Sequence, residues 1–131
     1  MFLCSGLLTP DSRLGSAYAQ EPLLIDDFEE GAVNKLGGNS NTYMKAPSRS
    51  LALRTDKEAY AGSKALMVKF DKKSQGGPYG NGGWCGYYTT LKAGPRYVDA
   101  TPYASVSFWV KGQAGTENFM IGLADRHWEG V

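Results

Sequence analysis

Apolar residues recur along this chain in runs of strand length, and clusters of Gly, Asn, Ser and Pro separate them. The runs are Leu23 to Phe28, a weaker Thr42–Lys45, Leu51–Thr55, Ala65–Phe70, Trp84 to Leu91, Ser105 to Lys111 and Asn118 to Ala124. In the fourth, Leu66, Val68 and Phe70 alternate with Met67, Lys69 and Asp71. Val106, Phe108 and Val110 share one face of the sixth, with Ser105, Ser107 and Lys111 opposite; Phe119, Ile121 and Leu123 share one face of the last. Half-buried strands of antiparallel sheets show this period of two. No window carries a sustained apolar stripe at helical spacing, so the pattern predicts an all-β fold without long helices.

Composition narrows the picture. At 131 residues the chain is one domain at most, since domains commonly run about 100–150 residues. Seventeen Gly, eight Tyr, five Phe and three Trp suit short strands, tight loops and broad flat side chains. With 14 Lys and Arg against 13 Asp and Glu, the chain has no field to draw nucleic acid or an anionic membrane. No apolar run approaches the ~18–20 residues that a transmembrane segment needs.

The first residues read differently from the rest. Met1 to Leu8 is short and apolar, and Ala17-Tyr18-Ala19 places small residues where signal peptidase cuts. Residues 1–19 are therefore expected to be a signal peptide or a disordered tail, residues 20–131 the domain, and the protein secreted, extracellular or periplasmic. Loss of Cys4 with that segment would leave Cys85 alone, as a small buried hydrophobe. At the other end, Arg126-His127-Trp128-Glu129-Gly130-Val131 reads as the start of a loop, so the sequence is expected to stop inside its domain.

Several segments then carry a resemblance. Ile25-Asp26-Asp27-Phe28-Glu29-Glu30-Gly31 resembles the opening of family 11 carbohydrate-binding modules and related galactose-binding-like jelly rolls. In the same order, Gly62–Val68, the aromatic strand Gly83–Leu91, Val106–Gly112 and Phe119–Asp125 resemble later strands of that family. The resemblance implies a jelly-roll β-sandwich of the galactose-binding-domain-like class, missing its last strands, that binds polysaccharide or oligosaccharide without chemistry of its own. The assembly-factor domain of respiratory complex I intermediates shares the pattern. It supplies a rival reading as a protein-interaction module, and a hydrolase fragment with its catalytic part downstream is a second.

Sugar rings offer apolar C–H faces that flat aromatic side chains match, while polar neighbours bond the hydroxyls. By alternation Trp84, Gly86 and Tyr88 share one face of their strand, and Tyr87, Thr89 and Leu91 the other. The resemblance puts Trp84 where the family presents a stacking aromatic. Tyr43 and Tyr79 are further platforms, and Asp125, Arg126 and His127 are candidate hydrogen-bonding groups. Alternation alone leaves Trp84 and Tyr88 open between core and binding face, and leaves Asp125 and Arg126 open between sugar contact and salt-bridged strand end. Tyr87 and Trp109 are expected in the core. Asp27 and Glu29, within the cluster Asp26, Asp27, Glu29 and Glu30, offer oxygen ligands for a structural calcium, although acidic strand ends are more often simply solvated. No other cofactor is implied.

Catalysis fails on inventory. His127 is the single histidine, no Gly-x-Ser-x-Gly elbow accompanies it, and no Cys/His spacing suits zinc. Asp125 and Glu129 are the one conceivable glycosidase pair, but they sit together in an apparent loop at the end of the sequence. The loop Gly76–Gly83 lacks the Lys-Ser/Thr of a phosphate loop and precedes a strand.

Overall fold

Period-two alternation becomes strand pairing in the computed structural model, which describes residues 1–10, 21–73 and 83–125. The strands are β1 (Phe2–Pro10), β2 (Leu23–Asp26), β3 (Ser40–Met44), β4 (Arg49–Thr55), β5 (Ala65–Asp71), β6 (Cys85–Thr89) and β7 (Tyr103–Lys111). All pairings are antiparallel, and no helix occurs among the described residues. In a five-stranded sheet, β7 runs along one side of β1, β5 and β2 share its other side, and β4 borders β5. β3 and β6 make a separate two-stranded sheet.

The two sheets meet over β4 and β5. Tyr87 of β6 packs against the buried cluster of Phe28, Leu66 and Val68, joined by Met1, Ala52 and Phe70. Ser50 of β4 donates its hydroxyl to the Gly86 carbonyl at 2.8 Å, tying the sheets across the interior. The fold is an all-β sandwich, as the alternation predicts. On β5, Leu66 and Val68 are buried while Lys69 and Asp71 face water. Full burial of such side chains is worth about 1.5–3 kcal/mol each.

The end of β2 is built around an aspartate. Asp26 is buried, and its carboxylate accepts the Phe28 N–H at 2.8 Å and pairs with Arg54 at 3.2 Å. Phe28 has φ of 63°, in the left-handed region that bulky side chains avoid. That conformation costs about 1–2 kcal/mol and persists because the Asp26 acceptor and the buried ring hold it. Arg54 lies 5.0 Å above the Phe28 ring centre and also donates to the Gly31 carbonyl at 2.9 Å. Burial pushes the Asp26 carboxyl above its ordinary pKa, while the Phe28 N–H and the Arg54 charge pull it back.

Three expectations change. Residues 1–19 were expected outside the fold, yet residues 2–10 form β1, with Leu8 buried and the Met1 amine donating to the Val68 carbonyl. The reason is length: an apolar run this short is also the length of a strand. Residues 118–124, expected as a strand, form no ladder, and Met120, Ile121 and Leu123 are exposed. Alternation marks a face, but a strand also needs a hydrogen-bonding edge, and none among the described residues pairs with this segment. Trp109 lies outside the core, 55% exposed and stacked on Tyr60 with ring centres 4.0 Å apart. On β7 it falls on the side of Ser105, Ser107 and Lys111, opposite Val106 and Phe108.

Substituting Asp26→Ala is expected to lower unfolding free energy in urea by about 2–3 kcal/mol, because it strands the Phe28 N–H and Arg54. Asp26→Asn keeps an acceptor for Phe28 and is expected to lose roughly half as much. Equal losses for the two variants would show that the Arg54 pair alone carries the effect.

Candidate functional site

On the β3–β6 ribbon, register and alternation divide the side chains between two faces. Asn41 pairs with Tyr88, Thr42 with Tyr87, Tyr43 with Gly86 and Met44 with Cys85. One step further, the Lys45 N–H donates to the Trp84 carbonyl at 2.8 Å, which extends the ladder. Tyr87 turns inward to the core. Trp84, Gly86 and Tyr88, with Asn41, Tyr43 and Lys45, therefore share the outward face.

Gly86 is what gathers the rings. A Cβ at this position would lie 2.6 Å from Tyr43 Cζ, so the Tyr43 ring lies directly against the glycine. Missing one side chain between Trp84 and Tyr88, β6 presents a notch, and the Tyr43 ring fills it from the neighbouring strand. The Tyr43 ring centre is 5.7 Å from that of Trp84 and 6.5 Å from that of Tyr88. The three rings make one row, with Tyr43 and Tyr88 exposed and Trp84 half-buried. Exposed Asn41 and Lys45 border the row with an amide and an ammonium.

The ribbon is anchored at its far end by Asn34. Its buried side-chain amide donates to Thr89 Oγ1 at 2.9 Å and the Thr90 carbonyl at 2.7 Å, and its oxygen accepts the Leu36 and Gly38 N–H groups. Every bonding capacity of the side chain is used. Gly38 lies flush against the Thr90 carbonyl, where any Cβ would collide. Loop 31–39 is thereby fixed to the end of β6, one residue beyond Tyr88.

Of the residues singled out by sequence, the structure brings together Trp84, Tyr88 and Tyr43. Tyr79, Arg126 and His127 lie outside the described residues. Asp125 is exposed on the segment after β7. Asp27 and Glu29 each serve protein donors: Asp27 meets Lys35 at 3.2 Å, and Glu29 accepts the Ser63 and Lys64 N–H groups at 2.7 and 2.8 Å. Among the described residues, no group of three or more His, Cys, Asp or Glu side chains is placed to hold a metal. Cys85 is a half-buried free thiol. The roles of Gly86 and Asn34 were missed. The glycine had a visible signal, since it interrupts the aromatic face it shares with Trp84 and Tyr88; Asn34 had none.

An outward row of aromatic rings with polar neighbours can stack on apolar ring faces and bond hydroxyls; it holds no nucleophile and base set to transform them. No helix of the described residues is long and apolar enough to cross a membrane. Searches of curated proteins and of solved structures find no match. A family model does match, over residues 27–130, and its description is Carbohydrate binding domain 30. The matched span includes β2's terminal turn, both strands of the aromatic ribbon and β7. The match supports a carbohydrate-binding module, and it is to domain 30 rather than to the family 11 modules that the opening motif resembles. The chain belongs to the carbohydrate binding domain 30 family.

Proposed function

We propose that this protein holds a polysaccharide chain against the row Trp84, Tyr43 and Tyr88, by stacking on sugar faces and hydrogen bonding to hydroxyls from Asn41 and Lys45. The observation that carries this reading is the notch at Gly86, which aligns rings from two strands on one outward face. The protein acts by binding alone. Family membership supports a carbohydrate ligand and a non-catalytic role.

Polysaccharide access favours a location outside the cell, and Ala17-Tyr18-Ala19 supplies an export motif. Cleavage after Ala19 removes residues 2–10, which build β1. N-terminal sequencing of protein recovered from the culture medium or periplasm is expected to begin at Gln20, so that the mature domain folds without β1. A start at Met1 would overturn the reading of Ala17-Tyr18-Ala19 as a cleavage site.

No cation is part of the reading, since Asp27 and Glu29 already serve Lys35 and the Ser63 and Lys64 amides. Thermal melts in calcium chloride and in EDTA are expected to coincide; a higher Tm with calcium would show the ion displacing Lys35.

The binding itself is tested by affinity electrophoresis of the full chain through gels containing soluble glucans, xylans and mannans. Trp84→Ala and Tyr88→Ala are each expected to weaken retardation on the order of thirtyfold, the equivalent of about 2 kcal/mol of lost apolar contact. Their circular dichroism should match the unsubstituted protein, because both side chains face away from the core. Unchanged retardation in folded variants would remove these residues from the site.

A further inference from the structure

β1 occupies a central slot in the larger sheet. It pairs with β7 on one side and with β2 and β5 on the other, and Leu8 is buried there opposite Val106. No other strand of the described residues pairs with β7. Cleavage after Ala19 therefore does more than shorten the chain. It unpairs backbone groups along β2, β5 and β7 and opens the apolar site of Leu8, and buried N–H and C=O groups left without partners are costly. The mature sheet needs another strand in that place.

One segment meets the requirements. Residues 118–124 alternate as a strand does, yet they form no ladder, and Phe119, Met120, Ile121 and Leu123 are all exposed. The loop that leads into them is already set: the Glu117 carboxylate accepts the Gln113 and Ala114 N–H groups at 2.6 and 2.8 Å, and Gly115 takes φ of 75°. A strand that returns along β7 after so short a loop lies antiparallel to it, which is the direction in which β1 runs. Placing Leu123 opposite Val106, where Leu8 stands in the uncleaved chain, sets Ile121 opposite Phe108 and Phe119 opposite Val110. All three then turn to the inner face that Leu8 shares, and a slip of one residue would turn Met120 and Gly122 inward instead.

We propose that β1 holds this slot only until cleavage, and that residues 118–124 then replace it between β7 and the edge formed by β2 and β5. The proposal rests on the reading of Ala17-Tyr18-Ala19 as a cleavage site. The apolar leader is a placeholder. Its removal exchanges a ladder between distant parts of the chain for a local hairpin, which closes at lower entropic cost. The ribbon of β3 and β6 takes no part in the exchange, since its two strands pair with each other in a separate sheet.

Hydrogen–deuterium exchange read by mass spectrometry compares two forms: the full chain made in the cytoplasm, which keeps residues 1–19, and the exported protein. In the full chain, residues 2–8 are expected to exchange slowly and residues 118–124 fast. In exported protein that starts at Gln20, residues 118–124 are expected to exchange on the order of a hundredfold more slowly than in the full chain. Fast exchange of 118–124 in folded protein starting at Gln20 would overturn the proposal and leave the cleavage reading intact. An exported protein starting at Met1 would overturn both. Slow exchange of 118–124 in the full chain as well would show that the segment has an edge of its own beside β1, and the placeholder role would fall. Ile121→Lys is expected to leave the Tm of the full chain unchanged and to lower that of the exported form by roughly 5–10 °C, because only there is the side chain buried. Equal shifts in the two forms would overturn the exchange.

Discussion

The ion pair between Asp26 and Arg54 is the contact on which the rest of this structure depends. It lies where β2 ends and must turn, and it resolves two problems together. Asp26 supplies the acceptor that holds Phe28 in a left-handed backbone, which swings the ring into the core. Arg54 neutralises the buried carboxylate, caps the ring from above and reaches the Gly31 carbonyl. An unpaired carboxylate at this depth would be strongly disfavoured, and an unpaired Arg54 would leave the ring uncapped. Loop 31–39 starts from this knot and ends by clamping β6 through Asn34. A buried charge pair beneath one sheet thus reaches the outward face of the other through a chain of named contacts.

β6 shows how one short strand divides core packing and an exposed aromatic row between its two faces. Its inward position, Tyr87, completes the core over Phe28, Leu66 and Val68. Its outward positions, Trp84 and Tyr88, border the notch at Gly86. The Gly86 carbonyl takes the Ser50 hydroxyl from the facing sheet, so the residue that seats Tyr43 is itself fixed from below. Because alternation assigns these duties to opposite faces, a ring can be removed from the platform without opening a cavity in the core.

Much of this was legible in the chain, for a physical reason. Period-two patterning reports which face is buried, so β2 and β4 to β7 were located within a few residues, and Tyr87 was placed correctly against the core. Patterning does not report partners. The run 118–124 alternates as clearly as β7, yet no described edge bonds it; Met1 to Leu8 has no such alternation and sits in the middle of the larger sheet. Trp109 was misplaced because its size suggested burial, although its own strand's alternation put it with Ser105, Ser107 and Lys111. At the site, Trp84, Tyr88 and Tyr43 were named from chemistry and resemblance. The seat that joins them came into view only with the register, because which β3 residue faces Gly86 is a property of pairing rather than of sequence.

The absence of strong charge is consistent with this design. A net charge of +1 gives no long-range pull on a ligand, and neutral sugars would not respond to one. If the rings stack on sugars as proposed, affinity comes from surfaces that fit before the ligand arrives, since each ring then contributes only about 0.5–1.5 kcal/mol beyond the area it covers. Ordering loose side chains on binding would cost about 0.5–1.5 kcal/mol apiece, enough to cancel that gain. Tyr43 avoids the cost by resting against Gly86 between two rings, and the ladder that carries all three is clamped at one end by Asn34. On the proposed reading, this pre-ordering of the rings is what makes weak stacking sufficient.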